Sequence, residues 1–428
     1  MAASTTKVDI PFTSYQKFVL AILAFLQFTI ILDFMILSPL GAILLPALNI
    51  SPSQFGLVVS AYAFSAGASG LLAAGFADRF DRKKLLLFFY VGFVVGTLLC
   101  GIAPTFEFLL GARIVTGLFG GVIGSIVFAI TTDLFAFEVR GKVMGILQTA
   151  FAASQILGVP LGLFLANTWG WHSPFLLIVA VSAAAGVVIF IYLKPIDAHL
   201  KIKATRKPLQ HLVHTVSQKR YLQGFAATAL LATGGFMLMP FGSAFNVHNL
   251  GVTLEQLPYV YIATGISSIV MGPVIGRLSD KIGKYPMFLV GCAIAIIAVI
   301  IYTRMPIIGL YAVMIINMIM FVGISARMIS SSALMSALPD AADRGSYMSV
   351  SSSVQQISGG IAAALAGLII VQNPDGSLGR MDILGDVIVG STVITAIMMT
   401  FIYRFLKKRE EDGKQKEEPL KAPQIVEA

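Results

Sequence analysis

The chain has 428 residues, 57% of them hydrophobic and only 12% charged, with a formal net charge of +9 at pH 7. A soluble domain carries roughly 25% charged residues, so a mean hydropathy of +0.86 excludes a water-soluble globule and sets the apolar excess against lipid. Nor does the positive balance mark a nucleic-acid binder: Lys and Arg sit in short loops between apolar runs, where they orient membrane proteins.

A helix needs about 20 apolar residues to cross a bilayer. After a short polar start comes a run too long for the apolar core of a signal peptide, read here as an uncleaved first helix. Twelve such runs follow one another, near 17–45, 54–77, 85–104, 107–133, 142–167, 174–193, 221–247, 255–278, 285–303, 306–336, 346–371 and 384–405. Several exceed the minimum, which permits tilt or a kink at Pro39, Pro160, Pro240 or Pro273.

With the first loop outside, the inside loops collect Arg79, Arg82, Lys83, Lys84, Arg140, Lys142, the basic segment 194–220, and Arg277, Lys281, Lys284 and Arg344. The outside loops offer only Arg304 and Arg380, and they hold Trp169 and Trp171. That bias predicts two cytoplasmic termini in a plasma membrane, the inner one in a bacterium. The fold class is therefore all-α and integral to the membrane, with a six-helix bundle over 1–193, a linker over 194–220 and a second bundle over 221–405. The charged remainder, 406–428, has nothing to bury and reads as a disordered cytoplasmic tail.

The halves repeat one another. "GFADRFDRKK" after the second run is echoed by "GRLSDKIGK" after the eighth, which sets Asp78 on Asp280 at an offset of 202. Arg140-Gly141 matches Arg344-Gly345 at an offset of 204. Two duplicated bundles with a site between them are a mark of secondary transporters, in which one half rocks against the other.

These residues resemble the major facilitator superfamily, and within it the twelve-span drug:proton antiporters and the sugar and metabolite efflux branch. The resemblance covers about 17–405. The loop motif is carried by Asp78, Arg79, Arg82 and Lys83, but Ala74 and Asp81 stand where the family has glycine. "RIVTGLFGG" supplies Arg113 and Gly117 of a fourth-span motif. "ILGVPLG" resembles the antiporter motif through Gly158, Pro160 and Gly162, with Val159 separating a Gly-Pro pair that is usually adjacent. The resemblance implies a monomeric, proton-coupled exporter of a small organic molecule. It also implies that Asp78 and Arg82 cluster with Asp133 as a gate on the cytoplasmic side, joined by Arg79. The second copy, Asp280, Lys281 and Lys284, would be a weaker clamp.

Charges inside apolar runs are expensive and point to function. Asp33 lies about six residues before Pro39, and Arg113 six after Glu107. At about 1.5 Å per residue both sit roughly 9 Å below the outer surface, a depth that permits an ion pair. A carboxylate whose surroundings change between two states can take a proton on one side and release it on the other. Asp33 is therefore the expected proton-coupling residue, with Arg113 tuning it; a static salt bridge between spans 1 and 4 is the bland alternative. Arg327 is a further buried charge with no acid at its depth. It either lines the cavity and attracts an anionic group, or snorkels toward the cytoplasmic face. Gln27, Gln148, Gln155 and Asn317 complete the possible cavity set, each also able to bond a neighbouring helix.

No nucleotide-binding loop occurs, since "DKIGKY" ends in Tyr where a hydroxyl residue belongs. Neither Cys100 and Cys292 nor the five histidines have metal-ligand or catalytic spacing, so no enzyme, metal or cofactor is read. The partners expected are a small-molecule substrate, protons and the bilayer. An uptake symporter or facilitator on the same fold is the nearest rival to export.

Overall fold

A computed structural model describes residues 12–197, 200, 214–340 and 343–417. Within its helices the side chains of 74–76, 78, 137–138, 141, 344–345, 410 and 412–417 lie outside that description. Twelve helices among the described residues are long and apolar enough to cross a membrane. They are α1 Ser14–Ile36, α2 Pro52–Ala73, α3 Arg82–Gly101, α4 Phe106–Leu134, α5 Lys142–Trp169 and α6 Ser173–Tyr192, then α7 Lys219–His248, α8 Leu257–Ile282, α9 Lys284–Thr303, α10 Leu310–Ser336, α11 Ser346–Ile369 and α12 Met381–Arg409. The one sheet among the described residues is a two-stranded ribbon, Val371–Gln372 with Leu378–Gly379, between α11 and α12.

Local chemistry sets the starts. Thr13 and Gln16 form a reciprocal capping box at α1, and Ser51 and Gln54 do the same at α2, where Pro52 takes the first position that needs no N–H donor. The prolines act unequally. Pro39 falls in a turn that breaks the first run, and a short helix, Gly41–Ala47, resumes beyond it. Pro240 does the same in the second half, splitting α7 before Gly242–His248. Pro160 follows a π-helical turn, Ser154–Gly158, inside α5, whereas Pro273 sits in an unbroken α8.

The halves pack by the same scheme. α2 and α3 lie on α4, α1 on α5 and α3 on α6; correspondingly α8 and α9 lie on α10, α7 on α11 and α9 on α12. Large apolar side chains such as Phe88, Phe190 and Tyr311 stay exposed on the outside, as a lipid-facing belt requires. Between halves, α2 meets α11 and α5 meets α8. Glycine permits the first contact: a Cβ on Gly56 would stand 2.8 Å from the Ala363 carbonyl oxygen. Nearby, the Ser60 hydroxyl donates across the interface to the Gly360 carbonyl at 2.8 Å.

The end carrying Trp171 is sealed between halves. Gly41–Ala47 packs on Gly242–His248, the Ser243 hydroxyl donates to the Ser38 carbonyl at 2.9 Å, and the Phe55 and Phe241 rings meet edge to face. Toward the Arg82 end the α5–α8 contact thins: α8 packs mainly on Ser154–Gly158 and Val159–Trp169 and little on the Phe137–Ala153 stretch.

One expectation needs correction. The final helix does not yield to a disordered tail at 406; it runs on to Glu417, held by Arg409, which reaches Asp340 at 2.7 Å. Residues 418–428 lie outside the described set. The helical path between Asp78 and Arg82 is broken. Ala77–Arg79 is a short 3-10 turn, and α3 starts afresh at Arg82.

Candidate functional site

The most buried charges meet inside the first half. α1 presents Asp33 and α4 presents Arg113, with 0% and 1% of their side chains exposed. An Arg113 Nη1 donates to Asp33 Oδ2 at 2.8 Å, and the Thr97 hydroxyl of α3 donates to Asp33 Oδ1 at 3.2 Å. Behind the pair, the Arg113 guanidinium lies 4.5 Å from the centre of the Tyr62 ring on α2. Four helices thus converge on one carboxylate and one guanidinium. A buried ion pair survives desolvation only when its remaining lone pairs and protons find partners, and Thr97 and Tyr62 supply part of that shell. Neither was flagged by the sequence, because a threonine or tyrosine in an apolar run carries no signal of its own.

The glycines of the antiporter-like motif act on this same centre. A Cβ on Gly158 would fall 2.5 Å from Leu32 Cδ1, and one on Gly162 would fall 2.4 Å from Ile36 Cδ1. Leu32 and Ile36 flank Asp33, so the small residues let α5 press against α1 where the carboxylate sits.

At the Arg82 end, Arg82 Nε donates to Asp133 Oδ2 at 3.2 Å, joining α3 to the end of α4. Its Nη1 also bonds the Ala77 carbonyl at 3.1 Å. The Asp78 side chain lies outside the described residues, and Arg79 is exposed. Asp81, which stands where the second copy has Gly283, has its own work. Its Oδ1 accepts from the Lys84 N–H at 2.9 Å, capping α3, and its Oδ2 accepts from the Ile196 N–H at 2.9 Å. The second copy solves the same corner differently: Gly283 takes φ +100, which lets α8 end and α9 begin at one residue.

Asp280, Lys281 and Lys284 are exposed there and form no ion pair among the described residues. The second half instead joins charges from the start of α7, the turn after α10 and the end of α12. Asp340 bridges Arg220 at the start of α7 and Arg409 at the end of α12, and the Tyr221 hydroxyl donates to Asp343 at 2.8 Å. The Arg220 guanidinium on its carboxylate holds Asp340 below the usual carboxylate range.

The cavity candidates separate. Gln27 is half-buried and Gln148 exposed. Gln155 sits in the π-helical turn with a buried side-chain amide nitrogen that finds no partner. Asn317 turns back on its own helix, donating to the Val313 carbonyl at 2.8 Å. Arg327 does not snorkel: it is 5% exposed, and one Nη1 donates to the Thr392 hydroxyl of α12 at 3.3 Å. Its Nε has no partner.

The model of the Major Facilitator Superfamily matches residues 23–367. Among curated proteins, the chain is 28% identical over 275 residues to the uncharacterized MFS-type transporter YceJ of Bacillus subtilis (strain 168), an alignment covering 62% of this chain and 67% of that protein. It is 25% identical over 282 residues to multidrug resistance protein 2 of the same organism, covering 64% of this chain and 69% of the relative. Among solved structures, a bacterial homolog of the human lysosomal transporter Spinster superposes with a TM-score of 0.70 at 17% identity, over 92% of this chain and 97% of the other. A POT family transporter superposes with a TM-score of 0.71 at 14% identity, over 90% and 96%. At such identities the likeness is one of fold.

Proposed function

The chain belongs to the Major Facilitator Superfamily, and from that premise we propose that it is a proton-coupled exporter of a small organic molecule working by alternating access. The observation that carries the reading is the Asp33–Arg113 centre, a carboxylate with no exposed surface held by one guanidinium and one hydroxyl. Rocking of the halves changes what surrounds α1, α4 and α5. When Arg113 turns toward another partner, the carboxylate takes a proton; when Arg113 returns, it gives the proton up. The multidrug resistance protein among the relatives favours export.

Arg82 with Asp133, together with Asp78 and Arg79, forms the gate at the cytoplasmic end in this reading, and Asp280, Lys281 and Lys284 pair only when that end closes. The excess of Lys and Arg at the Arg82 end sets both termini in the cytoplasm of a bacterial inner membrane. The contacts at the Trp171 end then seal the outside, so the state described faces inward. The protein works as a monomer, each copy holding a complete pair of halves.

The test uses proteoliposomes loaded with a pH-sensitive dye under an imposed pH gradient. Sugars, nucleosides, amino acids, organic anions and cationic drugs are added in turn. A substrate is expected to collapse the gradient with the wild type and not with Asp33→Asn. Equal collapse by both removes Asp33 from coupling. Substrate flux without proton movement replaces the antiporter by a facilitator.

A further inference from the structure

The second half holds a buried cation that the protein does not neutralise. Arg327 lies mid-way along α10 with 5% of its surface exposed, and its single bond is to a neutral hydroxyl. No carboxylate among the described residues pairs with it. Every acid between 221 and 405 sits in a loop or near a helix end: Glu255, Asp280, Asp340, Asp343, Asp375, Asp382 and Asp386. The deepest of these on α12, Asp386, is engaged by Arg304 at 2.6 Å and precedes Thr392 by six residues, about 9 Å along the helix. A guanidinium cannot shed its proton, and an uncompensated buried charge is strongly unfavourable.

The groups around it point to what compensates the charge. Beside Thr392, the Ser391 hydroxyl is buried with no hydrogen-bond partner, as is Arg327 Nε. Across from them α7 offers Gly234. The point where a side chain would begin on Gly234 lies 3.5 Å from Arg327 Nη2, 3.7 Å from Nη1 and 3.7 Å from Ser391 Oγ. Two guanidinium nitrogens and an unpartnered hydroxyl thus face the bare backbone of Gly234, which has no side chain to cover them. All three can donate, and apart from the neutral Thr392 hydroxyl on Nη1 no acceptor among the described residues is bonded to Arg327, the composition of a place for a single negatively charged acceptor.

We propose that α7, α10 and α12 form a binding site for an organic monoanion, whose carboxylate is received by Arg327 and Ser391 beside Gly234. The inference rests on the transporter reading for its purpose, since it names the cargo as a carboxylate-bearing molecule. One positive charge matches one negative charge, and the planar guanidinium matches the two oxygens of a carboxylate. The site is distinct from the Asp33–Arg113 centre, which lies in the other half and is already neutral as a pair.

Binding to the full-length protein, purified in lipid-free detergent, tests this by isothermal titration with no pH gradient. A failure of proton coupling therefore leaves this result untouched, and a failure here leaves coupling untouched. The probes are benzoate, neutral benzamide, benzylammonium and chloride. Benzoate is expected to bind at least about tenfold more tightly than benzamide, the discrimination that a buried charged partner gives, and benzylammonium not at all. Arg327→Gln should lose benzoate binding, and Arg327→Lys should keep much of it. Gly234→Ala is the variant least able to disturb the fold, because the added methyl meets only ordinary van der Waals contacts and alanine favours a helix. Its methyl crowds the approach of a carboxylate to the guanidinium and the Ser391 hydroxyl, so benzoate affinity should fall about tenfold while the melting temperature holds or rises. Equal binding of benzoate and benzamide overturns the proposal, as does undiminished binding by Gly234→Ala and Arg327→Gln. Chloride binding more tightly than benzoate also overturns it, since the site would then hold a structural counter-ion.

Discussion

The Asp33–Arg113 pair makes an asymmetric prediction, because its two members have different escapes when left alone. Asp33→Asn strands a guanidinium that is 1% exposed and cannot lose its proton. Breaking a buried pair this way costs about 3–5 kcal/mol, and the Tyr62 ring, which still faces the cation, holds the loss near the lower end. Arg113→Leu strands a carboxylate instead, which folds by taking up a proton. For a carboxyl of ordinary acidity that uptake costs about 4 kcal/mol at pH 7 and about 1.5 at pH 5, at 1.36 kcal/mol per unit. The folded variant then holds one proton more than its unfolded chain, so stability rises as pH falls toward the ordinary carboxyl value. Melting temperatures in detergent between pH 5 and 8 read both effects, at about 2–4 °C per kcal/mol for a unit the size of one half. Asp33→Asn should be destabilised by a similar amount across the range, Arg113→Leu chiefly at the alkaline end, and Asp33→Asn with Arg113→Gln less than either single variant. If both single variants stay within about 0.5 kcal/mol of wild type, or the pH slope belongs to Asp33→Asn, the desolvated-pair argument is wrong.

Gly121→Ala should be strongly destabilising, at the level of about 1–3 kcal/mol for overpacking, because its Cβ would stand 2.3 Å from the Ala66 carbonyl oxygen inside the first bundle; a thermal melt measures it. Gly56→Val should instead act between halves, where Ala363 blocks it, and should raise labelling of a cysteine placed at Ser53 by a membrane-impermeant maleimide added from the Trp171 side. Asp340→Asn should lower stability at pH 7 by about 1 kcal/mol or less, since its bridges to Arg220 and Arg409 are largely exposed. Because Asp340 titrates lower when folded than when unfolded, its contribution is full above the ordinary carboxyl value and vanishes as pH falls through the folded one, so variant and wild type should converge below about pH 4.

Span number, duplication and the Asp33–Arg113 contact were readable from one line of letters because each rests on a long-range regularity. Twenty apolar residues have few other uses, a repeated charged phrase needs a repeated corner, and two buried charges at equal depth attract. What stayed hidden depends on side chains that look ordinary. Thr97 and Tyr62 complete the first-half centre, yet hydroxyl residues are scattered through many spans. Asp340, in the turn after α10, meets Arg220 of α7 and Arg409 of α12 over 120 and 69 residues of separation, and nothing local distinguishes them from other loop charges. That contact also carries α12 past the membrane, which a reading of the tail by composition alone excludes. The substitution of Asp81 for glycine looked like a lapse from the family pattern; it is a helix cap tied to Ile196.

The duplicated halves have parted most at their buried charges, and that divergence fits a division of labour. Each bundle places one arginine in its interior, on α4 in the first and α10 in the second. In the first half Asp33 supplies the counter-charge to Arg113, so that centre is neutral with no ligand, and in the function proposed above it is the one that answers to a proton. In the second half no carboxylate among the described residues pairs with Arg327, so in the proposed site that centre is neutralised by the anion it binds. A transporter that coupled both events through one residue would have to let proton and cargo compete for it. Keeping Asp33 in one half and an unpaired Arg327 in the other puts the two occupancies on bodies that move relative to each other. The interface between them, α2 on α11 and α5 on α8, brings glycines such as Gly56 and Gly265 into close contact with the facing helix. Coupling, in the proposed function, requires only that the tilt of one half alter the company kept by Arg113, beside which Gly158 and Gly162 let α5 press on α1.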